Sequence, residues 1–86
     1  MRSRWNVRRS IEFFEINSDR LAGEIPLGPT KLEELQRLFG QPDDDPMYDV
    51  YAITSKEAEY FERHHSITFE FLRYEYFLAC ARSEKA

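Results

Sequence analysis

The chain has 86 residues and a formal net charge of −4, and 42% of its residues are hydrophobic, with seven phenylalanines, five tyrosines and one tryptophan. This length allows one domain, and the apolar content is too high for a disordered chain. No apolar run reaches the length of about eighteen residues that spans a bilayer, and the single cysteine, Cys80, cannot form an internal disulfide. We therefore expect a cytoplasmic protein with no membrane partner.

Charge is distributed unevenly along the chain. The first nine residues contain four arginines and no acid, so the remainder has eight basic against sixteen acidic residues. Between Leu32 and Glu62 there are nine acids and only two bases. A surface this negative repels nucleic acid and attracts a basic protein. The charge pattern therefore excludes nucleic acid as a partner and favours a protein with a basic surface.

The first predicted element is a β-hairpin. An apolar run at residues 11–16 is followed by the polar residues Asn17, Ser18 and Asp19, and a second apolar run extends from Leu21 to Leu27. Two apolar runs separated by a short polar turn are typical of two paired strands.

The segment PTKLEELQRLFG predicts the first helix. The hydroxyl of Thr30 can cap the helix start while Glu33, three residues on, bonds back to the cap. Apolar residues then follow at helical spacing, at Leu32, Leu35, Leu38 and Phe39. Gly40 is typical of a helix end.

A strand and a second helix are predicted after the aspartates. The run Tyr48–Ile53 alternates in the manner of a strand with one face more buried than the other. Thr54 and Glu57 then repeat the capping box. We expect the second helix to continue to about His64.

The C-terminal segment, residues 67–81, fits two structures. As a strand it places Tyr74, Tyr76 and Leu78 on one face, whereas as a helix it aligns Phe69 and Leu72 with Tyr76. The dense aromatic and β-branched residues favour the strand and leave a partly helical segment open.

The predicted order of elements is therefore β-β-α-β-α-β. Each amphipathic helix has to bury its apolar stripe, and a sheet face is the surface available. We predict a small two-layer α+β domain with a mostly antiparallel four-stranded sheet and two helices on one face. This domain occupies residues 8–82, with a flexible basic N-terminus at 1–7 and a flexible C-terminus at 83–86.

The candidate functional site lies between the first helix and the third strand. It consists of four aspartates and two tyrosines: Asp43, Asp44, Asp45, Asp49, Tyr48 and Tyr51. Such a cluster can bind a hard cation, form a solvated turn or bind a protein, but its spacing lacks the alternate acids and central glycine of an EF-hand loop. Tyrosines are enriched at interface hot spots, although these two could equally lie at the edge of the core.

No pattern in the chain is typical of catalysis. There is no nucleophile and base at a recognisable spacing, no phosphate-binding glycine loop and no paired cysteine motif. His64 and His65 are adjacent, so on a helix they point roughly 100° apart and chelate a metal poorly. Cys80, in an apolar context, is typical of a core residue. We expect no enzymatic activity, no cofactor and no metal.

Two segments, LFGQPDDDPMYDVYAIT and FEFLRYEYFLACA, resemble a family of short, acidic, uncharacterised bacterial proteins, and the resemblance covers most of residues 10–81. Such families are commonly encoded beside polymorphic toxins, including those of contact-dependent inhibition systems, where small acidic proteins serve as immunity factors. The resemblance implies an immunity protein that binds and neutralises a cognate toxin, for example a nuclease, through the six candidate residues. Acids of the two helices would add outer charges: Glu33, Glu34, Glu57, Glu59 and Glu62.

A second interpretation of the same sequence is a general protein-interaction domain. Exposed strand edges can pair between two copies of a chain, which would make the protein a homodimer. A concentration-dependent dimer without a toxin gene beside it would favour this interpretation.

Overall fold

Four strands and two helices alternate in the order expected from the sequence. The structure is a computed structural model that describes residues 5–84, with side-chain surroundings for residues 7–81. The elements are β1 (Trp5–Glu15), β2 (Leu21–Pro26), α1 (Leu32–Leu38), β3 (Tyr51–Ile53), α2 (Ser55–His65) and β4 (Tyr74–Glu84). The strands form one antiparallel sheet in the order β2-β1-β4-β3, which confirms the α+β class.

The centre of the sheet is formed by the two ends of the chain. Strand β4 pairs with β1 over its whole length, from Glu84 opposite Trp5 to Tyr74 opposite Glu15. Residues 5–7 and 83–84, which the sequence analysis placed in the flexible ends, are therefore part of this pairing. Residues 1–4 and 85–86 lie outside the described residues.

Both helices pack on one face of the sheet, as predicted. Register places Ile11 of β1 opposite Leu78 of β4, and both are buried. Leu35 of α1 and Phe61 of α2 are fully buried against them. Among residues 7–81, nine buried residues form the core cluster: Ile11, Leu35, Met47, Ile53, Ala58, Phe61, Ile67, Tyr76 and Leu78. No helix in the described part of the chain is long and apolar enough to cross a membrane.

The predicted capping box of α2 is confirmed. Thr54 precedes the helix, its hydroxyl accepts a bond from the Lys56 amide, and its own amide donates to the Glu57 carboxylate at 2.8 Å. The helix ends at His65, one residue beyond the predicted end, where Ser66 adopts a left-handed backbone conformation with φ of 55°.

The predicted cap of α1 at Thr30 is wrong. The helix begins at Leu32, its N-cap residue is Lys31, and the side chain of Lys31 makes no cap hydrogen bond. A capping hydroxyl has to stand directly before the first helical residue to reach those amides, and Thr30 is one residue too early. The predicted end is confirmed by Gly40, which has φ of +66°.

The third strand is shorter than predicted, since β3 contains only Tyr51–Ile53. The preceding backbone is turned away from the sheet at Met47, which has φ of 55° and a fully buried side chain. Its carbonyl bonds to the side chain of Arg9 and not to a neighbouring strand.

The C-terminal segment is a strand in its second half. Residues 66–70 have no regular structure, residues 71–73 form a turn, and β4 then begins at Tyr74. The helical interpretation of residues 67–81 is therefore wrong. Tyr76 and Leu78 face the core, as the strand interpretation of this segment requires.

Candidate functional site

The candidate site lies on the loop that connects α1 to β3, residues 41–50, which we call the acidic loop. Three side chains from other parts of the fold bond to this loop, and we call them its anchors. A glutamine of α1 and an arginine of β1 donate to backbone carbonyls, and a tyrosine of β3 donates to an aspartate carboxylate.

The first anchor is Gln36, whose side chain is 4% exposed. Its Nε2 donates to the carbonyl oxygens of Asp43 at 3.0 Å and Asp45 at 2.8 Å. Gln36 is not among the residues predicted for the site, although the sequence contains a signal for it: it stands four residues after Leu32, in the apolar stripe of the helix. A polar residue in such a stripe needs a buried partner.

The second anchor is Arg9 of β1, on the helix-bearing side of the sheet. Its Nη1 donates to the carbonyl oxygen of Met47 at 2.7 Å, and its Nη2 donates to that of Pro46 at 3.0 Å. The arginine therefore binds loop carbonyls, and neither of these bonds engages an aspartate carboxylate. In the sequence, Arg9 is recognisable only as one of the four arginines among the first nine residues.

The third anchor joins two of the candidate residues to each other. Asp45 accepts the Met47 amide on Oδ1 at 2.8 Å and the Tyr51 hydroxyl on Oδ2 at 3.2 Å. Burial raises the pKa of Tyr51, and the charge and hydrogen bond of Asp45 raise it further. The Tyr51 ring packs against Phe39 with centroids 5.7 Å apart. Asp45 and Tyr51 are thus half-buried and stabilise the loop.

Met47 links the loop to the core. A left-handed backbone in a residue other than glycine costs roughly 1–2 kcal/mol. Full burial of the Met47 side chain and the Asp45 bond to its amide offset that cost. The packing of Met47 in the core therefore stabilises the loop conformation together with the three anchors.

The other four candidate residues remain accessible. Asp43, Asp44 and Asp49 are exposed. Tyr48 is half-buried and lines a groove of about 830 Å³ together with Leu32 and residues 7–10 of β1. The structure therefore divides the predicted site into a supporting pair, Asp45 and Tyr51, three exposed aspartates, and Tyr48 in the groove.

Three of the five helix glutamates have partners within the fold. Glu34 accepts the hydroxyl of Tyr60 at 2.9 Å, and burial followed by this bond raises the pKa of that tyrosine. The pKa of Glu57 is lowered. Burial alone would raise it, but the hydrogen bonds that Thr54 donates to the Glu57 carboxylate outweigh the effect of burial. Glu59 pairs with an arginine one helical turn on, at 2.9 Å.

The remaining two, Glu33 on α1 and Glu62 on α2, are exposed. Together with Glu59, which is exposed although it pairs with Arg63, they are the helix glutamates that carry charge on the surface.

The other titratable side chains singled out in the sequence do not converge on a site. Within the described residues, no group of three or more histidine, cysteine or acidic side chains is arranged to hold a metal ion. Burial, with the adjacent charge of His64, lowers the pKa of His65, whose ring lies 5.9 Å from that of Phe61. Cys80 is half-buried in β4.

Comparison with known proteins identifies a domain family. A family model described as Domain of unknown function (DUF7683) matches residues 8–79, which include the acidic loop and its anchors Arg9 and Gln36. No curated protein and no solved structure matches the chain. None of these comparisons shows a similarity to immunity proteins.

Proposed function

Because the chain belongs to a domain family of unknown function (DUF7683), we propose its role from its own surface: it binds a basic protein through the acidic loop, without catalysis. More specifically, we propose that the partner is a bacterial toxin, such as a nuclease, and that the chain is its immunity protein. The observation that carries the proposal is an anchored loop with three exposed carboxylates, at Asp43, Asp44 and Asp49.

The anchoring supports binding because it lowers the entropic cost of association. A mobile loop has to be ordered when a partner binds, and that cost is subtracted from the affinity. Here Gln36 and Arg9 already bond to four carbonyls of the loop, those of residues 43, 45, 46 and 47. The carboxylates are therefore presented in one arrangement before any partner arrives.

The charge of the loop supports a basic partner. Three carboxylates within seven residues create a local negative potential, which accelerates encounter with a positive surface. A nuclease has to bind phosphates with basic side chains. Carboxylates held on a rigid loop can occupy such a cleft and exclude the nucleic acid.

A homodimer is the second candidate, and the edge of the sheet favours it. Strand β3 covers β4 only from Tyr76 to Leu78. In the described part of the chain, residues 79–84 of β4 therefore have no neighbouring strand on that side, and an open edge can pair with a second copy.

The test of the proposal is an Asn variant of the three exposed aspartates, D43N/D44N/D49N, which leaves Asp45 in its supporting role. The chain would be co-expressed with the product of the adjacent reading frame, and growth rescue and binding kinetics measured. We expect the parent to rescue growth, and the variant to associate about tenfold more slowly with a weaker dependence on salt.

The matched control is E15Q/D19N/E70Q, which removes the same charge from exposed residues outside the loop. Its association rate should stay close to that of the parent. An equal loss in both variants would show that net charge and not the loop matters. A chain that dimerises in sedimentation and rescues nothing would favour the homodimer.

A further inference from the structure

The sheet face opposite the two helices, which we call the helix-free face, has an apolar centre. Phe14 of β1 and Phe77 of β4 are half-buried there, with ring centroids 5.8 Å apart in an edge-to-face contact. Leu21, opposite Phe14 in the register, is 54% exposed. The outer face of an antiparallel sheet is usually polar, so a partly exposed apolar centre on this face favours a binding surface.

Three glutamates surround this centre. The register places Glu12 opposite both Glu24 and Phe77, and Glu75 opposite Phe14. Ser10 donates a hydroxyl bond to Glu24 at 3.1 Å, but no ion pair with any of the three carboxylates occurs within the described residues. Arg8, four residues before Glu12 on β1, is exposed on the same face. Three carboxylates against this one guanidinium leave the rim around the aromatic pair net negative.

We propose that the helix-free face binds a basic amphipathic helix of a partner protein. The apolar stripe of that helix covers Phe14 and Phe77, and its lysines or arginines contact Glu12, Glu24 and Glu75. Charge complementarity selects this occupant. A second copy of the chain in the same place would bring two sets of glutamates together, which is unfavourable.

The spacing of the face suits a helix. Phe14 and Glu12 occupy successive rows of the face, two residues apart along β1, which is about 6.8 Å. Residues four apart on a helix advance about 6 Å, so apolar residues at that spacing meet successive rows. A helix here would complete a third layer on a sheet that is covered on one face only.

The aromatic centre of this site is separate from the acidic loop. The loop is held by Arg9, which points to the helix-bearing side, since it alternates along β1 with Ser10 and Glu12. Glu24 of the rim lines the same groove as Tyr48, so the variants that distinguish the two surfaces leave both of these residues unchanged.

The experiment uses a synthetic peptide of leucine and lysine, about five helical turns long, with the leucines on one face. Amide chemical shifts of the full chain would be followed during titration. We expect shifts on β1 and β4 around Phe14 and Phe77, and a weakening of at least about tenfold for a peptide of the same composition in scrambled order.

Two sets of variants complete the test. F77T should weaken binding about tenfold, and E12Q/E75Q, which keeps the aromatic pair intact, should weaken it and flatten its salt dependence. D43N/D44N should leave binding unchanged. Equal binding of the scrambled peptide, shifts centred on the acidic loop, or association of the chain with itself through this face would overturn the proposal.

Discussion

Gly23 is the residue whose identity is most restricted by its neighbour. It lies opposite Phe13 in the register, and a Cβ atom at Gly23 would lie 2.5 Å from Cζ of the Phe13 ring. The absent side chain lets the ring lie across β2 and contact Tyr74 and Tyr76. The glycine is therefore needed for space and not for backbone freedom.

We expect G23A to reduce the free energy of unfolding by about 1–3 kcal/mol, because the Phe13 ring has to move. The matched control is G28A, since nothing lies within 4 Å of a Cβ at Gly28 and it should change stability by less than about 0.5 kcal/mol. Urea unfolding measures both. Equal stability of the two variants would contradict the packing described for β2.

The two helices begin differently although the same capping pattern precedes each of them. Thr30 and Thr54 both precede an apolar run and both have a glutamate three residues later. Only Thr54 forms the capping box, because only Thr54 directly precedes its helix. Helix α1 begins one residue later than the capping pattern predicts, with Lys31 as its N-cap residue.

We expect T54A to reduce the free energy of unfolding by about 1 kcal/mol through the lost cap. T30A, the matched control, should change it by less than about 0.5 kcal/mol, since Thr30 caps no helix. Thermal unfolding monitored by circular dichroism distinguishes them. A larger loss in T30A would place the cap of α1 where the sequence pattern predicts it.

The length of the acidic loop also depends on contacts that the local sequence pattern does not reveal. The sequence predicted a turn followed by a strand from Tyr48, but the loop continues to Val50 because its carbonyls bond to Arg9 and Gln36. Arg9 is 38 residues away from Met47 in the sequence. Periodicity reports neighbours along one element, so it could not identify this partner.

At the scale of the whole molecule, two tyrosine hydroxyls connect its parts. Tyr60 of α2 bonds to Glu34 of α1, and Tyr51 of β3 bonds to Asp45 of the acidic loop. Burial, with the neighbouring carboxylate in each case, raises both pKa values above the ordinary 10.0. Both bonds require a protonated tyrosine.

A raised pKa in the folded state gives stability that is complete below about pH 10 and is lost as the pH rises through the folded value. We therefore expect the free energy of unfolding to fall above about pH 10. The double variant Y51F/Y60F should be less stable at neutral pH but have a shallower alkaline decline. Equal slopes in urea titrations across that range would contradict this assignment.

The sequence by itself determined the order of elements, the α+β class, the cap at Thr54 and the negative charge of the segment after Leu32. These features depend on residues close together in the chain. The tertiary structure alone decided which carboxylates support the loop and which face outward, and it placed Phe14 beside Phe77. The contact between Phe14 and Phe77 forms only when β1 pairs with β4, because that pairing joins residues from the two ends of the chain. The arrangement of the loop likewise depends on Arg9, which is 38 residues away from the carbonyl of Met47.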